Sequence, residues 1–122
     1  MKNLVSIIEL PVSDLSRAMA FYQAVLGVAI DEADMGGTRM GILPAEAGAV
    51  NVVLVQGDGY TPAADGTVLY FDAGTDLQPT LDKVAPNGGR VMAPKTEISP
   101  EMGFFALFTD TEGNRVGLHS AG

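Results

Sequence analysis

The sequence contains no cysteine, a single histidine and few basic residues. The absence of cysteine excludes disulfide scaffolds, zinc–thiolate and iron–sulfur centres and a cysteine nucleophile. Seven Lys and Arg residues stand against 15 Asp and Glu residues, so the formal net charge is −8. Such a chain lacks the cationic surface that nucleic-acid phosphates require. Anionic membranes should also repel it, whereas a cationic ligand would be attracted.

Long hydrophobic segments are missing as well. No segment approaches the ~20 consecutive apolar residues that a bilayer-spanning helix needs. The first residues also lack the apolar core and cleavage site of a signal peptide, so we expect a cytoplasmic protein. The 122 residues, of which 47% are hydrophobic and 18% charged, predict one globular domain that can bury a core.

One pattern of elements occurs twice along the chain. A β-branched segment, residues 4–10, precedes apolar residues at helical spacing up to Leu26 and then three short strand candidates. The second half repeats this order at an offset of 62 residues, which places Ser13 on Thr75. We predict that these two residues are the N-caps of the two helices.

The repeat predicts an α+β fold of two β-α-β-β-β modules. The modules cover residues 1–57 and 66–122, and the linker between them, residues 58–65, is rich in Gly, Asp and Pro. One module alone would leave a face of its curled sheet uncovered, so two must combine. We expect a curled, eight-stranded mixed sheet with both helices on its convex side.

Two motifs resemble a known superfamily. The first is Ile8-Glu9-Leu10-Pro11-Val12-Ser13-Asp14-Leu15, and the second is Asp110-Thr111-Glu112-Gly113-Asn114-Arg115-Val116-Gly117. Both resemble motifs of the vicinal oxygen chelate superfamily, which includes glyoxalase I, bleomycin-resistance proteins and extradiol dioxygenases. The resemblance implies the paired-module fold, but it does not imply one function, because this fold supports several chemistries.

The metal enzymes of that superfamily use His or Glu ligands on the first and last strands of each module. Matched position by position, the ligands would fall at Ile7, at Val52 or Val53, near Leu69 and at Gly117. None of these residues offers a donor to a divalent ion. We therefore predict no metal cofactor, and a divalent metal is the alternative.

Two polar residues are candidate catalytic groups. His119 lies two residues after Gly117, and Glu9 lies two residues after Ile7. Strand alternation therefore places each on the same face as a superfamily metal-ligand position that has no donor here. His119 could act as a general base or a hydrogen-bonding group. The alternatives are a half-exposed histidine without a role and a glutamate that faces solvent.

Further residues are candidates for ligand binding. Arg39 and Asn51 could orient an anionic or polar ligand, although a surface role is the favoured alternative for both. Tyr70 and Phe105 could form aromatic walls or simply pack in the core. Several methionines, among them Met102, lie near predicted loops or strand ends and could contribute to the rim of a pocket.

Two functional hypotheses follow from the resemblance. The first is a metal-free, homodimeric protein that binds a small molecule, as bleomycin-resistance proteins do. The second is a lyase, isomerase or dioxygenase-type enzyme with a divergent active site. A protein-interaction role with a vestigial pocket also remains open.

Overall fold

The computed structural model describes residues 3–122 and divides them into two similar halves. Residues 1 and 2, which the predicted first module includes, lie outside the described residues. The strands are β1 Ile7–Pro11, β2 Asp31–Met35, β3 Thr38–Ile42, β4 Asn51–Gln56, β5 Leu69–Asp72, β6 Arg90–Ser99, β7 Gly103–Thr109 and β8 Arg115–Ser120. The helices are α1 Leu15–Leu26 and α2 Gln78–Leu81, followed by a 3₁₀ turn at Ala85–Asn87. The α+β fold of two β-α-β-β-β modules is confirmed.

The strands form two four-stranded sheets, in the orders β1-β4-β3-β2 and β5-β8-β7-β6. In each sheet the first and last strands of the module pair in parallel and the other pairs are antiparallel. Within residues 3–122 the two sheets share no strand pairing, so the predicted eight strands are divided between two sheets. Residues 57–68, which include the predicted linker, connect the sheets.

The N-cap of helix α1 lies one residue after the predicted one. Asp14, in an extended conformation, is the N-cap, and its carboxylate accepts a hydrogen bond from the Arg17 amide. The prediction of Ser13 at this position was therefore wrong. The helix ends at Gly27, whose φ of 68° lies in the left-handed region that glycine adopts without strain.

The second helical segment is much shorter than the first. Leu77 is its N-cap and makes no side-chain capping bond, so the prediction of Thr75 was also wrong. The amides of Lys83 and Val84 already bond three residues back, to Thr80 and Leu81. Pro86 then lacks the N–H that a continuing helix needs, and the helical segment ends in a 3₁₀ turn.

Helix α1 packs against both sheets and joins them through one core. On the first sheet, Leu15 and Met19 lie so close to Gly41 that a Cβ there would stand 3.2 Å from each. On the second sheet, Phe21 meets Phe108 and Tyr22 meets Phe71, with ring centroids 5.9 and 5.8 Å apart. The buried cluster draws on both modules: Val12, Leu15, Ala18, Phe21, Tyr22, Val25, Ile30, Leu43, Leu54, Leu77, Leu81, Val84, Ala106, Phe108, Val116 and Leu118.

The turn between β7 and β8 holds the start of α1. Glu112 accepts hydrogen bonds from the Ser13 and Asp14 amides at 2.9 and 2.8 Å and forms an ion pair with Arg17 at 2.7 Å. A carboxylate at a helix N-terminus is favoured by the helix dipole. The two residues that lead into α1 are thus held by a side chain about a hundred positions away in sequence.

Buried polar groups continue this contact into the core. The Tyr22 hydroxyl donates to Asp110 at 2.5 Å, and Asp110 also accepts from the amides of Glu112 and Asn114. Burial, reinforced by the Asp110 carboxylate, raises the pKa of Tyr22 well above its ordinary value. Asn114 donates to the Pro11 carbonyl at 2.7 Å. The C-terminal motif therefore serves to join the two modules.

Candidate functional site

Each sheet has one face that points away from the helices, which we call its open face. Strand register assigns the residues: in the second sheet, Tyr70 lies opposite Gly117 and Phe105 opposite His119, so these four share the open face. A cavity of about 480 Å³ lies there, lined by Tyr70, Ile98, Met102, Phe105 and His119. We call it the open-face cavity.

The aromatic wall of this cavity depends on a glycine. The Tyr70 ring lies directly across Gly117, where an added Cβ would stand 2.3 Å from a ring carbon. Tyr70 also meets Phe105 nearly edge to face, with centroids 6.5 Å apart. Any side chain at position 117 would have to displace the tyrosine ring.

His119 supplies a nitrogen-containing ring to an otherwise largely apolar wall. Its Nε2 lies 2.5 Å from the Met102 carbonyl oxygen. Met102 belongs to the turn between β6 and β7, and its own amide donates to Ser99 Oγ at 3.0 Å. The turn therefore both rims the cavity and holds the imidazole.

Glu9 lies on the open face of the other sheet. It accepts a hydrogen bond from the Tyr60 hydroxyl at 3.0 Å, and this bond raises the pKa of Tyr60. Glu9 lines a separate cavity of about 160 Å³ beside β1 and residues 61–67. The structure thus places Glu9 and His119, the two candidate catalytic groups, on different sheets and in different cavities.

The two polar ligand-binding candidates lie on opposite faces of the first sheet. Arg39 shares the helix-side face with Gly41 and pairs with Glu32 at 2.7 Å, which raises the pKa of the guanidinium. Asn51 is exposed at the first position of β4, opposite Ile7 on the open face. Neither residue lines the open-face cavity.

Three of the six candidate site residues therefore line the same cavity: Tyr70, Phe105 and His119. The cavity adds Met102, which the sequence suggested for a pocket rim, and Ile98, which no pattern identified. Strand β6 has register shifts between Val91 and Ala93, Ala93 and Thr96, and Glu97 and Ser99. Such irregularities break the two-residue alternation, so the face of Ile98 does not follow from its position in the sequence.

The residues present do not fit a divalent metal at the superfamily positions. Val53 and Tyr70 lie on the open faces, whereas their neighbours Val52 and Leu69 face the helix side. The side chains of Ile7 and Val53 have no donor atom and Gly117 has no side chain, and the Tyr70 ring occupies the space next to Gly117. Among residues 3–122, no three His, Cys, Asp or Glu side chains come together in a group suited to a metal.

A family model for the "Glyoxalase/Bleomycin resistance protein/Dioxygenase superfamily" matches residues 4–118, nearly the whole chain. The chain belongs to this superfamily. The family assignment confirms the resemblance that the two terminal motifs carry.

Curated relatives place the chain near glyoxylase-like members of this superfamily. It is 32% identical over 120 residues to the "Putative glyoxylase CFP32" of Mycobacterium tuberculosis, covering 93% of this chain and 44% of that protein. It is 28% identical to a "Glyoxylase-like domain-containing protein" of Didymella fabae, covering 90% of this chain and 88% of that one. The chain thus spans less than half the length of the mycobacterial relative.

Solved structures share the fold at low identity. A glyoxalase I variant from Zea mays superposes with a TM-score of 0.71 at 20% identity, over 95% of this chain and 46% of that one. A variant of the fosfomycin resistance protein FosX from Listeria monocytogenes, solved with Mn(II) and a dihydroxypropylphosphonic acid, gives a TM-score of 0.68 at 20% identity, over 100% of this chain and 91% of that one. In the described part of this chain, no helix is long and apolar enough to cross a bilayer.

Proposed function

We propose that this superfamily member binds a small molecule in the open-face cavity and does so without a metal ion. The observation that carries the proposal is the wall of the cavity, which combines aromatic and aliphatic side chains with the single imidazole of His119. Concave, mostly apolar sites with few polar groups are the usual form of ligand pockets. A volume of about 480 Å³ suits a drug-sized or smaller molecule.

The exposure of the wall also supports a binding role. Tyr70, Ile98 and Met102 are 45%, 46% and 59% exposed, so three large apolar side chains border the same cavity while facing solvent. A ligand that covers them removes apolar area from water, which is favourable by roughly 25 cal/mol per Å². Methionine adds a flexible wall that adapts to ligand shape.

The proposal includes a homodimer in which a second copy covers the cavity. Apolar side chains are exposed on the open faces of both sheets, with Ile7 and Ile42 on the first and Tyr70 and Ile98 on the second. A two-fold axis can bring the first sheet of one copy against the second sheet of its partner.

Sedimentation of the wild type should show a dimer. The variant Ile7→Glu should weaken this dimer, whereas Leu4→Glu, at the still more exposed Leu4, should not. A monomeric wild type contradicts this part.

The enzymatic alternative draws on the relatives. The mycobacterial protein is named as a glyoxylase, and FosX was solved with Mn(II), so a metal-dependent reaction is the competing function. Elemental analysis of protein purified without chelator separates the two. Stoichiometric divalent metal would overturn the metal-free proposal in favour of the enzyme.

Ligand screening by thermal shift, with chelator present, tests the binding function. A ligand that binds only the folded chain raises the melting temperature. We expect compounds that stabilise the wild type and the control Met92→Ala, but not Tyr70→Ala. Met92 lies on the same strand as Ile98, is 53% exposed and does not line the cavity. Compounds that stabilise Tyr70→Ala equally well, or only with added metal, would contradict the proposal.

A further inference from the structure

We infer that the Met102 carbonyl holds the proton of the neutral His119 ring on Nε2, so that Nδ1 is an acceptor reserved for a ligand with an N–H or O–H donor. The inference rests on the proposed function, because it concerns the same cavity. It adds the chemical class of the ligand: an apolar or aromatic molecule that presents a hydrogen-bond donor, and not an anion.

The tautomer follows from the chemistry of the contact. A carbonyl oxygen can only accept a hydrogen bond, and Nε2 lies within bonding distance of the Met102 carbonyl. Nε2 must therefore carry the hydrogen, and in a neutral imidazole the other nitrogen is then an unprotonated acceptor. Among the residues that line the cavity, the Tyr70 hydroxyl is the other strongly polar side-chain group, and unlike an unprotonated Nδ1 it can donate as well as accept.

The carbonyl is held in place by the backbone that follows it. Gly103 has a φ of 84°, and a Cβ there would stand 2.2 Å from the Ser120 carbonyl oxygen. Only glycine fits this close approach, which pins the β6–β7 turn against the end of β8. The Ser99 hydroxyl, which accepts from the Met102 amide, secures the turn from the other side.

Nδ1 is accessible. Among residues 3–122, no buried side-chain nitrogen or oxygen lacks a hydrogen-bond partner, and the hydrogen bond of the ring is made by Nε2. Since His119 is only half-buried and lines the cavity, we take Nδ1 to be open to solvent and to a molecule that enters the cavity. A donor group of a ligand can replace water in the hydrogen bond to Nδ1. An anion at the same place would be repelled by the nitrogen lone pair. The net charge of −8 further disfavours anions.

Nitrogen-15 NMR of the imidazole tests the tautomer in the free protein. The chain has one histidine, so the ring signals need no assignment among residues. At a pH where the ring is neutral, we expect the shift pattern of protonated Nε2 and unprotonated Nδ1. A spectrum dominated by protonated Nδ1, or an even mixture of the two tautomers, overturns the inference.

Three probes of matched shape test the ligand class: 2-naphthol, 2-methoxynaphthalene and 2-naphthoate. We expect 2-naphthol to bind about tenfold more tightly than the methyl ether, a difference of about 1.4 kcal/mol, and the carboxylate to bind most weakly. His119→Ala should abolish the preference for the naphthol, and Met92→Ala should retain it.

The outcomes separate the two proposals. Equal binding of the naphthol and its methyl ether at this cavity overturns the inference and leaves the proposed function standing. Preferred binding of the carboxylate also overturns it. Failure of all three probes to bind counts against the open-face cavity as a ligand site, and thus against both proposals, whatever tautomer the NMR spectrum shows.

Discussion

Replacing Glu112 should loosen the contact between the two modules. The variant Glu112→Ala removes the acceptor for the Ser13 and Asp14 amides at the start of α1, together with the ion pair to Arg17. The side chain of Glu112 is fully covered, whereas that of Arg17 is half-exposed. Because exposed ion pairs contribute little, we attribute most of the cost to the lost capping bonds.

The magnitude follows from those bonds. For comparison, loss of an N-cap side chain costs about 1 kcal/mol, and a hydrogen bond to a charged acceptor contributes about 1.5–3 kcal/mol. Water can reach both amides once the carboxylate is gone, and the Asp14 side chain still caps the Arg17 amide. We therefore expect Glu112→Ala to lower the free energy of unfolding by about 2 kcal/mol.

Urea denaturation followed by far-UV circular dichroism measures the change, since the chain has no tryptophan. The matched control is Glu46→Ala, an exposed glutamate in the loop between β3 and β4, for which we expect a change within about 0.5 kcal/mol. If Glu112→Ala and Glu46→Ala lose the same stability, the capping argument is wrong.

Three further outcomes are expected. Burial raises the pKa of Glu112, but the Arg17, Asp14, Thr111 and Ser13 hydrogen bonds outweigh it, so the pKa in the folded state lies below 4.5. The stability that this charge adds is present above pH 4.5 and lost as the pH falls through the folded-state pKa. Urea titrations should therefore show Glu112→Gln less stable than wild type at neutral pH and the gap closing in acid; a constant gap contradicts this. Tyr22→Phe, which removes the 2.5 Å bond to buried Asp110, should cost about 1–3 kcal/mol by the same assay, and an unchanged midpoint would disprove it. Gly117→Ala should displace the Tyr70 ring and reduce ligand-induced thermal shifts at least as much as Tyr70→Ala; unaltered shifts would refute the role of the glycine.

Local pattern in the sequence was sufficient for the architecture. The repeated order of strand, helix and three strands predicted both modules, and the helical spacing up to Leu26 agrees with the end of α1, where Gly27 adopts the left-handed conformation. The lack of metal-donor atoms at the superfamily ligand positions could also be read directly from the sequence, because it depends only on residue type. The helix caps were less certain, because neighbouring Ser13 and Asp14 are both good caps and only backbone geometry selects one.

Tertiary structure decided which residues meet. Alternation along a strand told which residues share a face, but it could not tell that Glu9 and His119 belong to open faces of different sheets, or that Arg39 faces the helix side. The shifts in β6 concealed Ile98, because each bulge reverses the alternation beyond it. The hydrogen bonds from the Ser13 and Asp14 amides to Glu112 span about a hundred residues, and the contact of His119 with the Met102 carbonyl spans 17. No local pattern encodes such contacts, since the first exists only once the two modules have packed together and the second only once β8 has paired in its sheet.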